Sequence, residues 1–169
     1  METIETQRLI LREPKLSDID SAIEFFMSDR AAGVGGPLDY GRAWRMFATE
    51  CGHWAMLGHG MWIVTRKGDD TPLGMIGPWT PGDWPENEIG WTIWDPNLEG
   101  TGIATEAAAA AIDHAWRVLD WDTMVSYVGI GNTRSARLAE KLGAVLDETA
   151  AQPEGKAVWV YRHPKPEDL

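Results

Sequence analysis

Glu88-Ile89-Gly90-Trp91-Thr92-Ile93-Trp94-Asp95-Pro96-Asn97-Leu98-Glu99-Gly100-Thr101-Gly102-Ile103-Ala104-Thr105-Glu106-Ala107 is the stretch that decides the fold. Glu88 to Trp94 is rich in β-branched and aromatic residues and reads as a strand, ended by Asp95-Pro96. From Ile103 to about Leu119, Ala104, Ala107, Ala108, Ala111, Ile112 and Ala115 recur at helical spacing. So narrow a face lets a helix lie close on a sheet. Between strand and helix stands Gly100-Thr101-Gly102. Glycines there let backbone N–H groups approach a ligand, and the first amides of a helix carry unpaired donors and the positive end of its dipole. A phosphate or pyrophosphate fits such a place without lysine or arginine. A plain turn with Thr101 as cap is the other reading. A dinucleotide fold fits less well. Five residues, Asp95 to Glu99, separate the strand from the first glycine, and Asp122 precedes the next strand where a ribose-binding acid should end it.

Working outward, Thr6 to Glu13 alternates as a first strand stopped by Pro14, and Ser17 reads as the cap of a helix carrying Ile19, Ile23, Phe26 and Met27. Ala31 to Pro37 is a glycine-rich loop. A second helix spans about Tyr40 to Leu57, with Trp44, Phe47, Ala48 and Cys51 as its inner stripe, ended by Gly58 and Gly60. Met61 to Thr65 and Leu73 to Gly77 are strands joined through Gly68-Asp69-Asp70, followed by a Pro, Gly and Trp loop from Pro78 to Pro85. Met124 to Val128, Val145 to Asp147 and Ala157 to Tyr161 are further strands, and Asn132 to Leu142 is a helix closed by Gly143. Strands bracketing single helices indicate an α/β or α+β architecture with a mixed sheet, as one domain over residues 1–169.

The chain carries 15 Lys and Arg against 26 Asp and Glu, a net charge of −11. Such acidity argues against a broad grip on nucleic acid or anionic lipid. The longest unbroken apolar run, Ala107 to Ile112, is far short of the roughly 20 residues a membrane helix needs. The single Cys51 excludes an internal disulfide and a cysteine zinc knuckle, and with no signal-peptide pattern at the N-terminus the expected compartment is the cytoplasm. His53, His59, His114 and His163 show no metal-ligand spacing. Ten tryptophans are many for this length. Trp44, Trp91, Trp116 and Trp159 fall on helical or strand patterns, where core packing accounts for them. Trp79 and Trp84 fall in the loop before the Glu88 strand.

Asn132-Thr133-Arg134-Ser135 opens the last helix, and Ser135, Leu138, Ala139 and Leu142 share its inward stripe. Asn132 capping the helix and Ser135 bonding its backbone is one reading; Ser135 meeting a ligand is the other. Taken with Glu5-Thr6-Gln7-Arg8-Leu9-Ile10-Leu11-Arg12, Glu88 to Ile93, Glu99 to Ala107 and Asn132 to Ala144, in this order and spacing, the chain resembles the GNAT superfamily of acetyl-CoA-dependent N-acetyltransferases. It is most similar to the branch that acetylates N-terminal alanine of ribosomal proteins.

The resemblance implies a mixed, mostly antiparallel sheet of six to seven strands, about four helices and a splayed central strand pair. It implies acetyl-CoA bound by the amides of Gly100, Thr101, Gly102, Ile103, Ala104 and Thr105, with Ile93 and Trp94 pairing with pantetheine and Asn132 reaching its arm. Gly102 and Ala104 match the family pattern, but Glu99 stands where it has Gln or Arg, and a carboxylate there opposes a pyrophosphate. Arg134 and Arg137, a turn apart, are candidates for the 3′-phosphate. Ala139 replaces a tyrosine acid found in many members, which leaves Ser135 as the implied proton or hydrogen-bond donor to the leaving thiolate. Glu88 is the implied base. No metal is implied. Trp79 and Trp84 are expected to line the acceptor cleft. The implied acceptor is a primary amine, peptide N-terminus or small cation, and the implied assembly a homodimer. A non-catalytic acyl-CoA-binding sensor or partner protein is the alternative.

Overall fold

The computed structural model describes residues 3–167. Eight strands form one sheet: β1 (Thr3–Glu5), β2 (Leu9–Arg12), β3 (Trp62–Arg66), β4 (Asp69–Trp79), β5 (Glu88–Ile93), β6 (Val125–Gly129), β7 (Val145–Leu146) and β8 (Val158–Arg162). Their order is β1-β2-β3-β4-β5-β6-β8-β7. Every neighbouring pair is antiparallel except β5 and β6, which run parallel and pair only at Glu88↔Val125. Beyond Glu88 these two strands diverge. The family-like splay is thus present, with one strand more than the resemblance implies, β1.

Four α-helices cover the sheet: α1 (Ile19–Met27), α2 (Tyr40–Leu57), α3 (Ile103–Arg117) and α4 (Thr133–Lys141). β3 is apolar at consecutive positions because both of its faces are covered. Trp62 and Val64 pack with Leu9, Leu11, Ile76 and the alanines of α3. Met61 and Ile63 pack the other way, with Met75, α1 and Phe47 of α2. Ala107, Ala108 and Ala111 are fully buried, and their small side chains set α3 close on the sheet.

Several local expectations are corrected. Ser17 makes no helix cap. It lies in a 3-10 turn, Leu16–Asp18, and the buried Asp18 does the work, accepting from the Lys15 amide at 2.9 Å and pairing with Arg12 at 2.7 Å. A carboxylate binds both an amide and a guanidinium more strongly than a hydroxyl can. The inner stripe of α2 is Ala43, Phe47, Glu50 and His53, one residue out of phase with the expected one, and Trp44 is 46% exposed rather than core. Asp39 caps α2 through the Arg42 amide and Gly58 closes it at φ 73°. The β3–β4 turn is Lys67-Gly68, with Arg66 paired to Asp69, so Asp69 and Asp70 are already strand. β4 also runs through Pro78 to Trp79. Pairing of β3 with β4 reaches only Ile76, so the missing N–H of Pro78 costs no ladder bond on that side. Trp79 is therefore a strand residue, paired with Glu88.

Candidate active site

The glycine turn is held from the first strands. Glu106, in the first turn of α3, accepts from the Thr6 hydroxyl at 2.6 Å, the Arg8 amide at 2.8 Å and Arg8 Nε at 2.6 Å. Arg8 also donates to the Thr101 carbonyl at 3.0 Å. Thr101 does not cap α3; its hydroxyl donates back to the Leu98 carbonyl. Gly102 occupies the N-cap at φ 82° with no side-chain cap, a conformation natural to glycine. No side chain thus competes with a ligand for the first amides of the helix, and the turn suits an anion.

Glu99 is exposed, but it is not an isolated charge. Arg30, from the 3-10 segment Asp29–Val34, pairs with one oxygen at 2.8 Å, and Arg134 of α4 pairs with the other. The Arg30 and Arg134 hydrogen bonds hold its carboxyl below the ordinary range. Two guanidiniums thus surround the carboxylate that stands in place of Gln or Arg. Arg30 also donates to the Ile93 carbonyl at 2.9 Å, at the splayed end of β5. The Trp94 amide turns the other way and bonds the Leu73 carbonyl of the sheet at 2.9 Å. Its ring stacks on Phe25.

Across the splay, Asn132 caps α4, accepting from the Ser135 amide at 3.2 Å. The half-buried Ser135 hydroxyl turns toward β5. It accepts from Trp91 Nε1 of β5 at 3.3 Å, which leaves its own hydrogen to donate elsewhere. Arg137 is exposed; Arg134 is the arginine that reaches Glu99.

On the α1–α2 face, Glu88 is 9% exposed and accepts from Trp84 Nε1 at 2.5 Å. Burial pushes its carboxyl up to about 7, against the Trp84 bond, the Tyr127 amide and the charge of Lys156, which pull it down. The segment just before it is anchored by Glu86, which takes the two terminal nitrogens of Arg162, Nη1 and Nη2, at 2.7 and 2.9 Å. Trp84 stands edge-on to Tyr127, and the Lys156 ammonium lies 4.4 Å from the Trp84 ring centroid. Beside Trp84 opens a groove of about 340 Å³, also lined by Thr80, Glu86, Asn87 and Thr123. Trp79 stacks on His53 at 5.2 Å. His53 Nε2 accepts from the Thr80 amide at 3.0 Å.

The arrangement places a carboxyl that titrates near neutrality at the root of a strand splay. An uncapped helix N-terminus lies at the far end of that strand, and a serine hydroxyl with a free proton on the opposite wall. An acetyltransferase (GNAT) domain model matches residues 8–145. The chain belongs to the GNAT acetyltransferase family. Its fold is similar to that of an acetyltransferase from Agrobacterium tumefaciens str. C58, at 35% identity and TM-score 0.90 over 97% of this chain and 95% of that one. A GNAT-family acetyltransferase from Bacillus anthracis matches at 22% identity and TM-score 0.73, over 95% of each chain. A ribosomal L7/L12 α-N-protein acetyltransferase, RimL, in complex with coenzyme A shares the fold at 17% identity and TM-score 0.75, over 96% of this chain and 97% of that one. This GNAT protein is thus an acyl-CoA-dependent acetyltransferase. Among the described residues no three His, Cys, Asp or Glu side chains group as a metal site, and no helix is long and apolar enough to cross a membrane.

Residues that sequence reasoning missed are Arg30, Trp91, Tyr127 and Glu50. Arg30 and Trp91 act through partners 69 and 44 positions away. The Tyr127 hydroxyl is buried, and burial with the charges of Glu86 and Glu88 pushes it up to about 12, against the Glu86 backbone. Glu50 could have been found as the lone acid at helical spacing from Ala43, Phe47 and Trp54.

Proposed function

We propose that this GNAT protein transfers the acetyl group of acetyl-CoA directly to the primary amine of a cationic acceptor, a peptide or protein N-terminus or a small amine. The observation that carries this reading is the ammonium of Lys156 seated on Trp84, the same indole that donates to the buried Glu88. That surface already accommodates one primary ammonium beside a base, through ring quadrupole and charge. The excess of acidic residues favours a cationic acceptor in the same sense. We place the protein in the cytoplasm, where the lone Cys51 stays a thiol.

The amides from Gly100 to Thr105 and the side chains of Asn132, Arg134 and Arg137 are the groups that would hold CoA. When bound, acetyl-CoA supplies an activated acyl group on sulfur. Stripping the proton from a lysine-like ammonium at pH 7.4 costs about 4 kcal/mol, so a base at the point of attack is valuable. Glu88, poised near neutrality, takes the surplus proton of the attacking nitrogen. Trp84 holds the carboxylate oriented. The new C–N bond replaces the C–S bond, whose electron pair leaves on sulfur. Ser135, already accepting from Trp91, gives that sulfur a hydrogen bond, and the thiolate takes its proton from solvent.

The test is product formation from acetyl-CoA with a panel of amines, beside calorimetric titration of acetyl-CoA. Glu88→Gln and Ser135→Ala are each expected to lower kcat by about 10²-fold or more while the acetyl-CoA Kd stays within about twofold. Unchanged turnover in either variant removes that residue from its role. No turnover of any amine by a protein that binds acetyl-CoA overturns the proposed acceptor class.

A further inference from the structure

The reading above gives Glu88 a task and leaves Glu50 without one. Glu50 is 5% exposed, and its Oε2 is buried with no hydrogen-bond partner among the described residues. Buried polar oxygens nearly always find partners, so an unpaired one marks a place kept for something else.

The helix stripe fixes where that oxygen stands. One turn before it, Phe47 packs with Met61, Ile63 and Met75. One turn after it, His53 stacks on Trp79, which is paired across the ladder with Glu88. Glu50 therefore lies over the sheet between Met61 and Trp79, on the face that Glu88 presents. Gly90, next along that face of β5, leaves a gap: a Cβ there would stand 3.5 Å from Met61 Cε and 3.8 Å from Glu88 Oε1. The polar neighbours are otherwise occupied. His53 holds the His59 carbonyl through Nδ1 and the Thr80 amide through Nε2, and Glu88 Oε2 holds Trp84. The charged and titratable groups around this pair are Cys51 on α2, Asp18 beyond Cys51, and Tyr127 and Lys156 around Glu88. Burial, and then the charge of Glu88, push the Glu50 carboxyl up to about 8.

We propose that Glu50 is a specificity-determining residue of the acceptor site, its unpartnered carboxyl oxygen accepting one N–H of a primary amine whose other N–H is held by Glu88. This rests on the amine-acceptor reading and narrows it. A neutral primary amine has two N–H bonds and one lone pair. With one N–H on each carboxyl group, the lone pair is left to attack. A carboxyl keeps an acceptor oxygen whether or not it is protonated, so the contact survives the titration of Glu50. An N-methylated amine gives up one of the two contacts and turns its methyl toward the gap beside Gly90. The selected substrate class is therefore primary amines, against their N-methyl counterparts.

The experiment compares phenethylamine with N-methylphenethylamine, and Ala-Ala-Ala amide with its N-methyl-alanyl form, in wild type, Glu50→Gln and Glu50→Leu. Wild type is expected to favour the primary amine in kcat/KM by about 10²-fold or more. Glu50→Gln keeps an acceptor oxygen and is expected to keep most of that ratio. Glu50→Leu is expected to shrink it to under about tenfold by losing rate on the primary amine alone. A purely structural role would lower both amines together and leave the ratio unmoved, and that result overturns the proposal. A second readout needs no turnover: carbon-13 NMR of protein labelled at glutamate carboxyls, titrated with phenethylamine. The resonance missing in Glu50→Leu is expected to shift with phenethylamine and to move little with the N-methyl form. If the Glu88 resonance moves and the Glu50 one does not, the proposal fails while the amine reading stands. If neither moves and no amine turns over, both fail.

Discussion

Trp84→Phe isolates one hydrogen bond at the base. The substitution keeps an aromatic ring under Lys156 and removes the indole N–H that stands 2.5 Å from Glu88 Oε2. That bond favours the ionised carboxyl, so its loss raises the Glu88 pKa above its value of about 7. A hydrogen bond to a charged group contributes about 1.5–3 kcal/mol, and 1.36 kcal/mol is one pH unit, so the rise is about one to two units. The base is active as the carboxylate. Activity is therefore present above the pKa and lost as pH falls through it, and the acid limb moves from near 7 to about 8–9. At pH 7, where wild type is about half ionised, kcat/KM is expected to drop roughly 5- to 50-fold; by pH 9.5 the two proteins converge. The assay is the pH profile of kcat/KM, with acetylated product quantified by mass spectrometry. Damage to packing would lower the rate at every pH without moving the limb. A limb that stays in place, or moves to lower pH, would refute the assignment of Glu88 as a base tuned by Trp84.

Three further outcomes are expected. Glu50 in the folded protein binds a proton up to about pH 8, while in the unfolded chain it releases it near the ordinary carboxylate value. Stability should therefore fall as pH rises through that window, by as much as about 4 kcal/mol, and Glu50→Gln should flatten the loss in urea unfolding at pH 5.5 and 8.5. Glu99→Gln releases Arg30 and Arg134 and removes an anion from beside the glycine turn; calorimetry should show CoA bound about three- to tenfold more tightly, with a stronger salt dependence. A weaker affinity would mean that the carboxylate positions the arginines for CoA. Gly74→Ala would place a Cβ 2.0 Å from the Thr92 carbonyl oxygen of the paired strand, and chemical denaturation should register a loss of about 3 kcal/mol or more.

Much of the fold was legible because its signals are local. The strand, glycine turn and helix from Glu88 onward depend on spacing within a few residues, and Asn132 reads as a cap from its own neighbourhood. The failures share a cause. Apolarity places the α2 stripe one residue away from where it lies. Trp44 is apolar and outward, and Glu50 is charged and inward, so periodicity counted both wrongly. Pro78 reads as a breaker and puts Trp79 in a loop, and only the end of β3 pairing at Ile76 makes that proline harmless.

The sequence by itself determined the strand, glycine turn and helix from Glu88 onward and the cap at Asn132, because short-range sterics, helix-terminus donors and periodicity are written in neighbouring residues; the roles expected of Glu88 and Ser135 came from the family resemblance. The tertiary structure decided their chemistry. It supplied the burial that brings Glu88 near neutrality, the Trp91 bond that frees the Ser135 proton, and the two arginines that surround Glu99. It also brought the unpaired Glu50 to the face that Glu88 presents. Each of these depends on the dielectric and partners around a side chain, which are set by residues tens of positions away and exist only once the chain has closed on itself.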